Sequence, residues 1–256
     1  MLYYIRTLVG DYSMISETGI IDVHSHIIPG ADDGCRYIGE SLEMLKLAYG
    51  QGVRGVIATP HYVRGHNRMD ADALKKKTGK LRESVAAVLP DMKIYQGQEI
   101  LYFDGVTEKL ASGEVLTLQG TRYVLVEFMP SVPYNELFLA VRTLLLAGYF
   151  PVLAHIERYQ CLRKGGYVEE LIHAGAYMQM NYRCLSRAKG LAERAWCRKT
   201  VLEGNIHLLG TDMHRLDYRP PELEKTLAWL KKRGGEELTR KLTVENAAAI
   251  LAGDSL

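Results

Sequence analysis

One stretch constrains this chain more than any other: Ile20-Ile-Asp-Val-His24-Ser-His26-Ile-Ile-Pro-Gly-Ala-Asp32-Asp33-Gly34. An apolar run ends in His-x-His, turns at Pro-Gly and continues into paired aspartates. In a β-strand, residues two apart project to the same side, so His24 and His26 can face one point in space. Imidazole is a common ligand for Zn, Fe, Ni and Cu, and carboxylates suit harder ions such as Mn and Mg. Either Asp32 or Asp33 can supply a carboxylate there, so the stretch reads as the opening of a metal site. Asp22 precedes the pair, and a structural or supporting role is assigned to it rather than ligation.

The pattern of a strand followed by a ligand-type residue recurs. Strand-like runs are Ile20–Val23, Val53–Thr59, Lys93–Gly97, Tyr123–Phe128, Phe150–Ala154, Tyr177–Met180 and Ile206–Gly210. Helical patterns lie between them, at Ser41–Gln51, Ala71–Val88, Asn135–Ala147, Tyr167–Ala174, Leu191–Leu202 and Pro221–Arg233. A last helix is expected over Val244–Ala252, with Thr243 as its N-cap. Seven strands separated by helices predict an α/β fold with a parallel sheet, open or closed into a barrel. In such folds the carboxyl ends of the strands gather on one face, where ligands bind. His24, His26, Asp33, His61, Glu99, Glu127, His155, Asp212 and His214 all fall at strand ends and are expected to converge. They exceed what one ion can use, so two or three metals are expected. His66 is placed near substrate, His173 on a solvated helix face, and His207 in the core or in support of the site.

The length of 256 residues accommodates one large domain, and no repeat or low-complexity linker divides it. Residues 1–19 read as an N-terminal extension, with Met14 an alternative start, and residues 20–256 as a single domain. Arg6 and Asp11 interrupt the apolar leader, so it makes a poor signal peptide. No run reaches the ~18 apolar residues of a membrane span. A net charge of +2 without a basic cluster beyond Lys75–Lys77 argues against nucleic acid or anionic membrane as a partner. Four scattered cysteines form no C-x-x-C pair and fit a reducing cytoplasm. No G-x-G-x-x-G or Walker-type loop follows the first strand, which lowers the dinucleotide and P-loop readings.

The blocks Asp22-Val-His24-Ser-His26, Ala-Thr-Pro-His61, Gly-Gln-Glu99-Ile, Val-Glu127-Phe, Ala-His155-Ile-Glu-Arg158-Tyr and Thr-Asp212-Met-His214 together resemble the PHP superfamily. Within it, the chain is similar to the bacterial capsule-biosynthesis protein-tyrosine phosphatases of the CpsB/YwqE type. The resemblance runs from about Ile20 to the last helix. It implies a distorted (β/α)7 TIM-like barrel holding a trinuclear centre, usually described with manganese; Fe, Zn or Co also suit mixed histidine and carboxylate shells. It assigns His24, His26, Glu99 and Asp212 to a first ion. Glu99 bridges to a second, held also by Glu127 and His155, and Asp33, His61 and His214 hold the third. Arg158 and Arg219 align with phosphate-binding arginines, and the partner implied is a phosphotyrosine protein, a membrane-associated bacterial tyrosine kinase. Ile156, where the family commonly has Pro, and Met213, where it commonly has a small residue, depart from the pattern without removing a ligand.

Elementary chemistry supports that reading. Coordination drops the pKa of a water toward ~7, giving a nucleophile at neutral pH, and paired ions clamp the attacking and leaving oxygens. Arginine can fork onto the non-bridging phosphate oxygens, which lysine does less well. The cysteine route to phosphotyrosine hydrolysis needs Cys followed six residues later by Arg. Those positions here are Ser41, Tyr167, Gly190 and Glu203, so no cysteine qualifies. A phosphatase built on this chain would thus work through metal, and the resemblance implies a metal-dependent protein-tyrosine phosphatase. A small-molecule phosphoesterase, such as a histidinol- or sugar-phosphatase of the same superfamily, is the alternative. A non-catalytic module is disfavoured because every ligand position is filled.

Overall fold

Two of the seven expected strands, Val53–Thr59 and Lys93–Gly97, are each followed after a short break by a second strand segment. The computed structural model describes residues 19–256 apart from 67, 68 and 189. The predicted extension therefore lies, but for Gly19, outside the described residues. The strands are β1 (Ile20–Ser25), β2 (Val53–Ala58), β3 (His61–Tyr62), β4 (Lys93–Gln96), β5 (Glu99–Leu101), β6 (Tyr123–Glu127), β7 (Phe150–Leu153), β8 (Tyr177–Asn181) and β9 (Leu208–Gly210). Thr59-Pro60 separates β2 from β3, and Gly97-Gln98 separates β4 from β5. Pro60 has no N–H to give to a ladder, so the first break is written into the sequence.

The lower halves pair in the order β1-β2-β4, and the upper halves continue as β3-β5-β6-β7-β8-β9. Every strand pair is parallel. The ring closes through the segment after β9. Ser25 bridges Met213 in parallel register, Asp212 N–H donates to His24 O at 2.9 Å, and His26 N–H donates to Met213 O at 2.8 Å. The result is the expected α/β architecture, a distorted (β/α)7 barrel.

Nine helices surround the strands among the described residues: α1 (Ile38–Gly50), α2 (Ala71–Val88), α3 (Val106–Ala111), α4 (Tyr134–Leu146), α5 (Tyr167–Ala174), α6 (Tyr182–Arg187), α7 (Leu191–Leu202), α8 (Glu224–Arg240) and α9 (Asn246–Ala252). Helix α2 shows why. It buries Ala71, Leu74, Thr78, Leu81 and Val85, the three-and-four spacing of one face, and Asp70 caps it by accepting from Ala73 N–H at 2.7 Å. Strand alternation sorts the rest of the core. In β6, Val124 and Val126 pack in the large cluster with the helices, whereas Tyr123 and Leu125 join Val152 and the α9 residues Ala247, Ala248 and Ile250. The face that carries Tyr123 and Leu125 runs on, two residues later, to Glu127.

The C-terminal helices correct the sequence reading. Helix α8 starts at Glu224, not Pro221, and the expected end at Arg233 is a break at Gly235 (φ +80°) beyond which the helix resumes. Thr243 caps nothing. It sits inside a π-helical turn, Lys241–Glu245, that joins α8 to α9, and its hydroxyl donates to Thr239 O at 2.8 Å. Helices α3 and α6, only six residues each, had no periodic signal to reveal them. No helix among the described residues is long and apolar enough to cross a membrane.

Candidate metal centre

The nine expected ligands come together at the carboxyl ends of the strands. They form four overlapping groups: His26, Asp33, His61 and His214; His24, His26 and Asp212; His24, Glu99 and His155; and His61, Glu99 and Glu127. Glu99 lies at the centre. Its Oε2 is 3.1 Å from His24 Nε2, 3.3 Å from His26 Nε2 and 3.0 Å from His61 Nδ1, and its Oε1 is 2.7 Å from His155 Nε2. Glu127 reaches His61 Nδ1 at 3.0 Å and His155 Nε2 at 3.4 Å. Asp33, at the rim with a half-exposed side chain, is 3.5 Å from His214 Nε2 and 3.7 Å from His61 Nε2.

Two close approaches require glycine. A Cβ on Gly210 would lie 2.6 Å from His24 Cβ, and one on Gly34 would lie 2.0 Å from His26 O. The loops that deliver the ligands can therefore press against β1 only without side chains at these two positions. His155 (φ +34°), Asp212 (φ +53°) and Arg219 (φ +56°) all adopt left-handed backbone. Such conformations are rare for side-chain-bearing residues and concentrate at functional sites.

The hydrogen bonds fix which ring nitrogen each histidine presents. His24 Nδ1 is 3.1 Å from the Gln179 amide oxygen, His26 Nδ1 is 2.7 Å from Asp32 Oδ2, and His214 Nδ1 is 2.8 Å from Asp212 O. All three partners are acceptors, so each Nδ1 carries the proton and each Nε2 lone pair turns to the cluster. That is the arrangement of a histidine ligand oriented from behind. Asp32 is thereby placed behind His26, with Oδ1 accepting from Gly34 N–H and Oδ2 also accepting from His61 N–H, which leaves Asp33 as the residue in the cluster.

A cation fits this donor set. His24 and His26 Nε2 are 3.2 Å apart, and Asp212 Oδ1 is 3.3 Å from the His26 nitrogen and 3.8 Å from that of His24. Four donors bound tetrahedrally at ~2.1 Å would be spaced about 3.4 Å apart. Glu99 Oε2 is fully buried among three imidazoles, yet has no hydrogen bond. Buried polar atoms without partners are rare, and here the lone pairs face a shared point instead of a proton.

The charges are arranged accordingly. Burial would raise the Glu99 carboxyl, but His24 and His155 hold it well below the usual carboxylate range. Asp212 is likewise held low against burial by His26, His24 and Arg158. Burial and His26 push His61 down, but Glu127 and Glu99 outweigh them and carry it up to about 10. His214 is driven the other way, to about 3, by burial and the neighbouring His26.

Both predicted arginines reach the centre. Arg158 Nη2 donates to Asp212 Oδ2, and Arg219 Nη1 donates to the same oxygen at 3.0 Å. Arg219 also donates to the Tyr218 hydroxyl at 2.8 Å. His66 is exposed and lines an open pocket of about 270 Å³ with Asp33, His61 and Glu127. His173 is exposed on α5, with Nδ1 donating to Glu169 O. His207 accepts from Met178 N–H at 3.1 Å, away from the cluster. Asp22 accepts from Thr211 and from His24 N–H, a structural role that ties β1 to the end of β9.

The sequence reading missed the contribution of β8. Gln179 Oε1 accepts from His155 N–H at 2.7 Å as well as facing His24, its amide donates to Asn181 Oδ1 at 3.0 Å, and Asn181 Nδ2 donates to Asp212 Oδ2 at 3.1 Å. The signal was there, since Gln179 and Asn181 alternate along one strand face and end a strand.

Fold and site together define an α/β barrel built around a carboxylate-centred, histidine-rich cluster of ligand-type residues at its strand ends. The chain belongs to the family of capsular polysaccharide synthesis proteins CpsB/CapC, whose model matches residues 20–252. It is 34% identical over 238 residues to the tyrosine-protein phosphatase CpsB of Streptococcus pneumoniae, covering 91% of this chain and 98% of that protein. It is 32% identical over 241 residues to the tyrosine-protein phosphatase YwqE of Bacillus subtilis, covering 93% of each. A solved structure from work on YwqE and CpsB, described as unique metal-dependent tyrosine phosphatases, superposes with a TM-score of 0.85 at 30% identity, over 93% of this chain and 96% of that one. An amidohydrolase from Mycoplasma synoviae shares the fold, with a TM-score of 0.64 at 14% identity over 93% of this chain and 88% of that one.

Proposed function

We propose that this chain is a metal-dependent protein-tyrosine phosphatase whose substrate is the phosphotyrosine of a membrane-associated bacterial tyrosine kinase of capsule or exopolysaccharide assembly. The observation that carries the reading is the convergence of nine histidine and carboxylate ligands with two arginines, Arg158 and Arg219, on one strand-end site. Family membership supports it. The openness of the site favours a protein substrate over a small metabolite, since Asp33 and His66 stand at the surface.

The residues divide the work by chemistry. His24, His26, Glu99 and Asp212 would hold one ion, Glu99, Glu127 and His155 a second, and Asp33, His61 and His214 a third. His61 touches both latter groups. Manganese is the proposed occupant of two or three positions, with Fe, Zn or Co as substitutes that the same donors accept. Ions bound there supply Lewis acidity and an activated water at neutral pH. Arg158 and Arg219 bind and orient the non-bridging oxygens of the phosphoryl group, and His66 contacts the substrate from the rim. Asp32, Gln179 and the Asp212 carbonyl hold the imidazoles in register. Residues 20–256 act as one catalytic domain, with residues 1–19 an appended extension. Location in the cytoplasm is part of the proposal, consistent with four free cysteines.

Purified protein supplied with Mn²⁺ and offered a phosphotyrosine peptide, histidinol phosphate and sugar phosphates tests the reading. Turnover confined to the peptide and to aryl phosphates supports it. Preferential turnover of a metabolite phosphate would replace it with the small-molecule alternative.

A further inference from the structure

A second depression lies on the same barrel face, lined in part by the residue that directly follows Glu127 of the cluster. Glu127 sends its carboxylate into the cluster, and the next residues, Phe128 and Met129, line a groove of about 610 Å³. Tyr102 and Phe103, which follow β5 as Phe128 follows β6, line it as well. The strands are in register there, with Leu101 opposite Glu127, and Tyr102 N–H donates to Glu127 O at 3.0 Å. Tyr102 stacks on Phe128 with ring centroids 5.3 Å apart, and Phe128 N–H is held by the Tyr159 hydroxyl at 3.1 Å. The floor is therefore rigid and tied to the backbone of a cluster residue.

Its composition is selective. Met129 and Leu139 are 64% and 62% exposed, unusually high for large apolar side chains at the mouth of one groove. Two carboxylates, Asp104 and Glu136, also line it, and one cation, Arg64, stands at its edge, 5.4 Å over the Phe103 ring and donating to Asp104 O at 3.3 Å. Aromatic and aliphatic walls beside acids recognise an apolar side chain next to a basic one, by desolvation of the first and charge attraction of the second. A free aryl phosphate seated at the cluster would leave this groove empty, whereas a polypeptide crossing the ends of β5 and β6 would fill it.

We propose that this groove is a substrate-recognition subsite, binding an apolar residue and an adjacent basic residue that flank the phosphotyrosine of a polypeptide substrate. The inference rests on the phosphatase reading above. It predicts discrimination among peptides by residues that never approach the phosphoryl group.

The test compares wild type, Leu139→Asp and a Asp104→Lys/Glu136→Lys double variant, all loaded with Mn²⁺. The substrates are p-nitrophenyl phosphate, a phosphotyrosine peptide with Leu and Lys on either side of the phosphotyrosine, and its counterpart with those residues replaced by glycine. The Leu/Lys peptide should be the better peptide for wild type. Leu139→Asp and the double variant should each lower its kcat/KM about tenfold, mainly through KM, while p-nitrophenyl phosphate turnover changes less than twofold. A double variant that instead prefers a peptide with Glu in place of Lys would support the charge assignment. Equal kcat/KM for both peptides in wild type, or parallel losses on all three substrates in the variants, would overturn the subsite and leave the phosphatase reading intact. No turnover of any of the three by wild type would overturn both.

Discussion

Asp32 holds His26 through a 2.7 Å contact between its Oδ2 and the ring Nδ1, so one of the two neighbouring aspartates orients a proposed metal ligand while the other, Asp33, joins the cluster. Losing an orienting carboxylate typically lowers metal affinity ten- to a hundredfold without abolishing binding. Asp32→Asn should show that partial loss in a Mn²⁺ titration followed by calorimetry. Unchanged affinity would mean that His26 is oriented by its packing alone.

Glu99 is the shared element of two ligand groups, and its replacement should be more severe. Glu99→Gln is expected to lower the number of ions bound per chain, read by elemental analysis, and to shrink the difference in Tm between metal-loaded and chelated protein. A ligand that binds only the folded state stabilises by about 2.7 kcal/mol at a hundredfold excess over Kd, so the difference is large enough to measure.

Arg158 and Arg219 approach the same oxygen of Asp212 from different loops. Hydrogen bonds to charged groups contribute roughly 1.5–3 kcal/mol. Arg158→Lys and Arg219→Lys should therefore each lower kcat/KM for a phosphotyrosine peptide roughly ten- to a hundredfold, with metal content unchanged. Loss of metal in either variant would recast that arginine as a support for Asp212.

Much of this site was legible in the sequence, because a ligand at a strand end is a local pattern. The nine positions could be marked from six strand ends, each carrying one or more ligand-type residues. What lay beyond reach depended on backbone path. Asp32 and Asp33 are chemically alike, and only the turn through Gly34 decides which one faces His26. Gln179 and Asn181 are uncharged, so their alternation on one face at the end of a strand was the signal available for them. The break after β4, the left-handed conformation of Arg219 and the π-turn that swallows Thr243 are tertiary outcomes, set by packing around the barrel. A fold pattern with alternating strands and helices survives such details, which is why the α/β barrel was readable while the limits of α8 were not.

Gly210 offers a test of the packing that presents His24. A methyl group there would meet His24 Cβ at 2.6 Å. Overpacking of this kind costs about 1–3 kcal/mol. Gly210→Ala should lower the unfolding free energy of chelated protein, measured by urea denaturation, by that amount and weaken metal binding as well, because the displaced atom belongs to a proposed ligand.

His207 should give the chelated protein an acid sensitivity. Burial and, after it, Lys241 push its imidazole down to about 4, and its Nδ1 must be unprotonated to accept from Met178 N–H. In the unfolded chain the same group titrates near 6.5. The unfolded state therefore binds more protons between those values, so the stabilisation is complete above about 6.5 and is lost as pH falls toward 4. Urea denaturation of chelated protein at pH 7 and pH 5 should show a loss on the order of 1 kcal/mol attributable to this residue, and His207→Gln should show a smaller pH dependence. An identical slope in the variant would assign the sensitivity elsewhere.

The most direct measurement of the central claim is phosphotyrosine-peptide hydrolysis by protein stripped with EDTA and then reloaded with Mn²⁺, run beside metal quantification for wild type and His155→Ala. Reloaded wild type should hold two or more ions per chain, with activity lost on stripping and restored on reloading, and the variant should show no restoration. Full hydrolysis by stripped protein that contains no metal would contradict it.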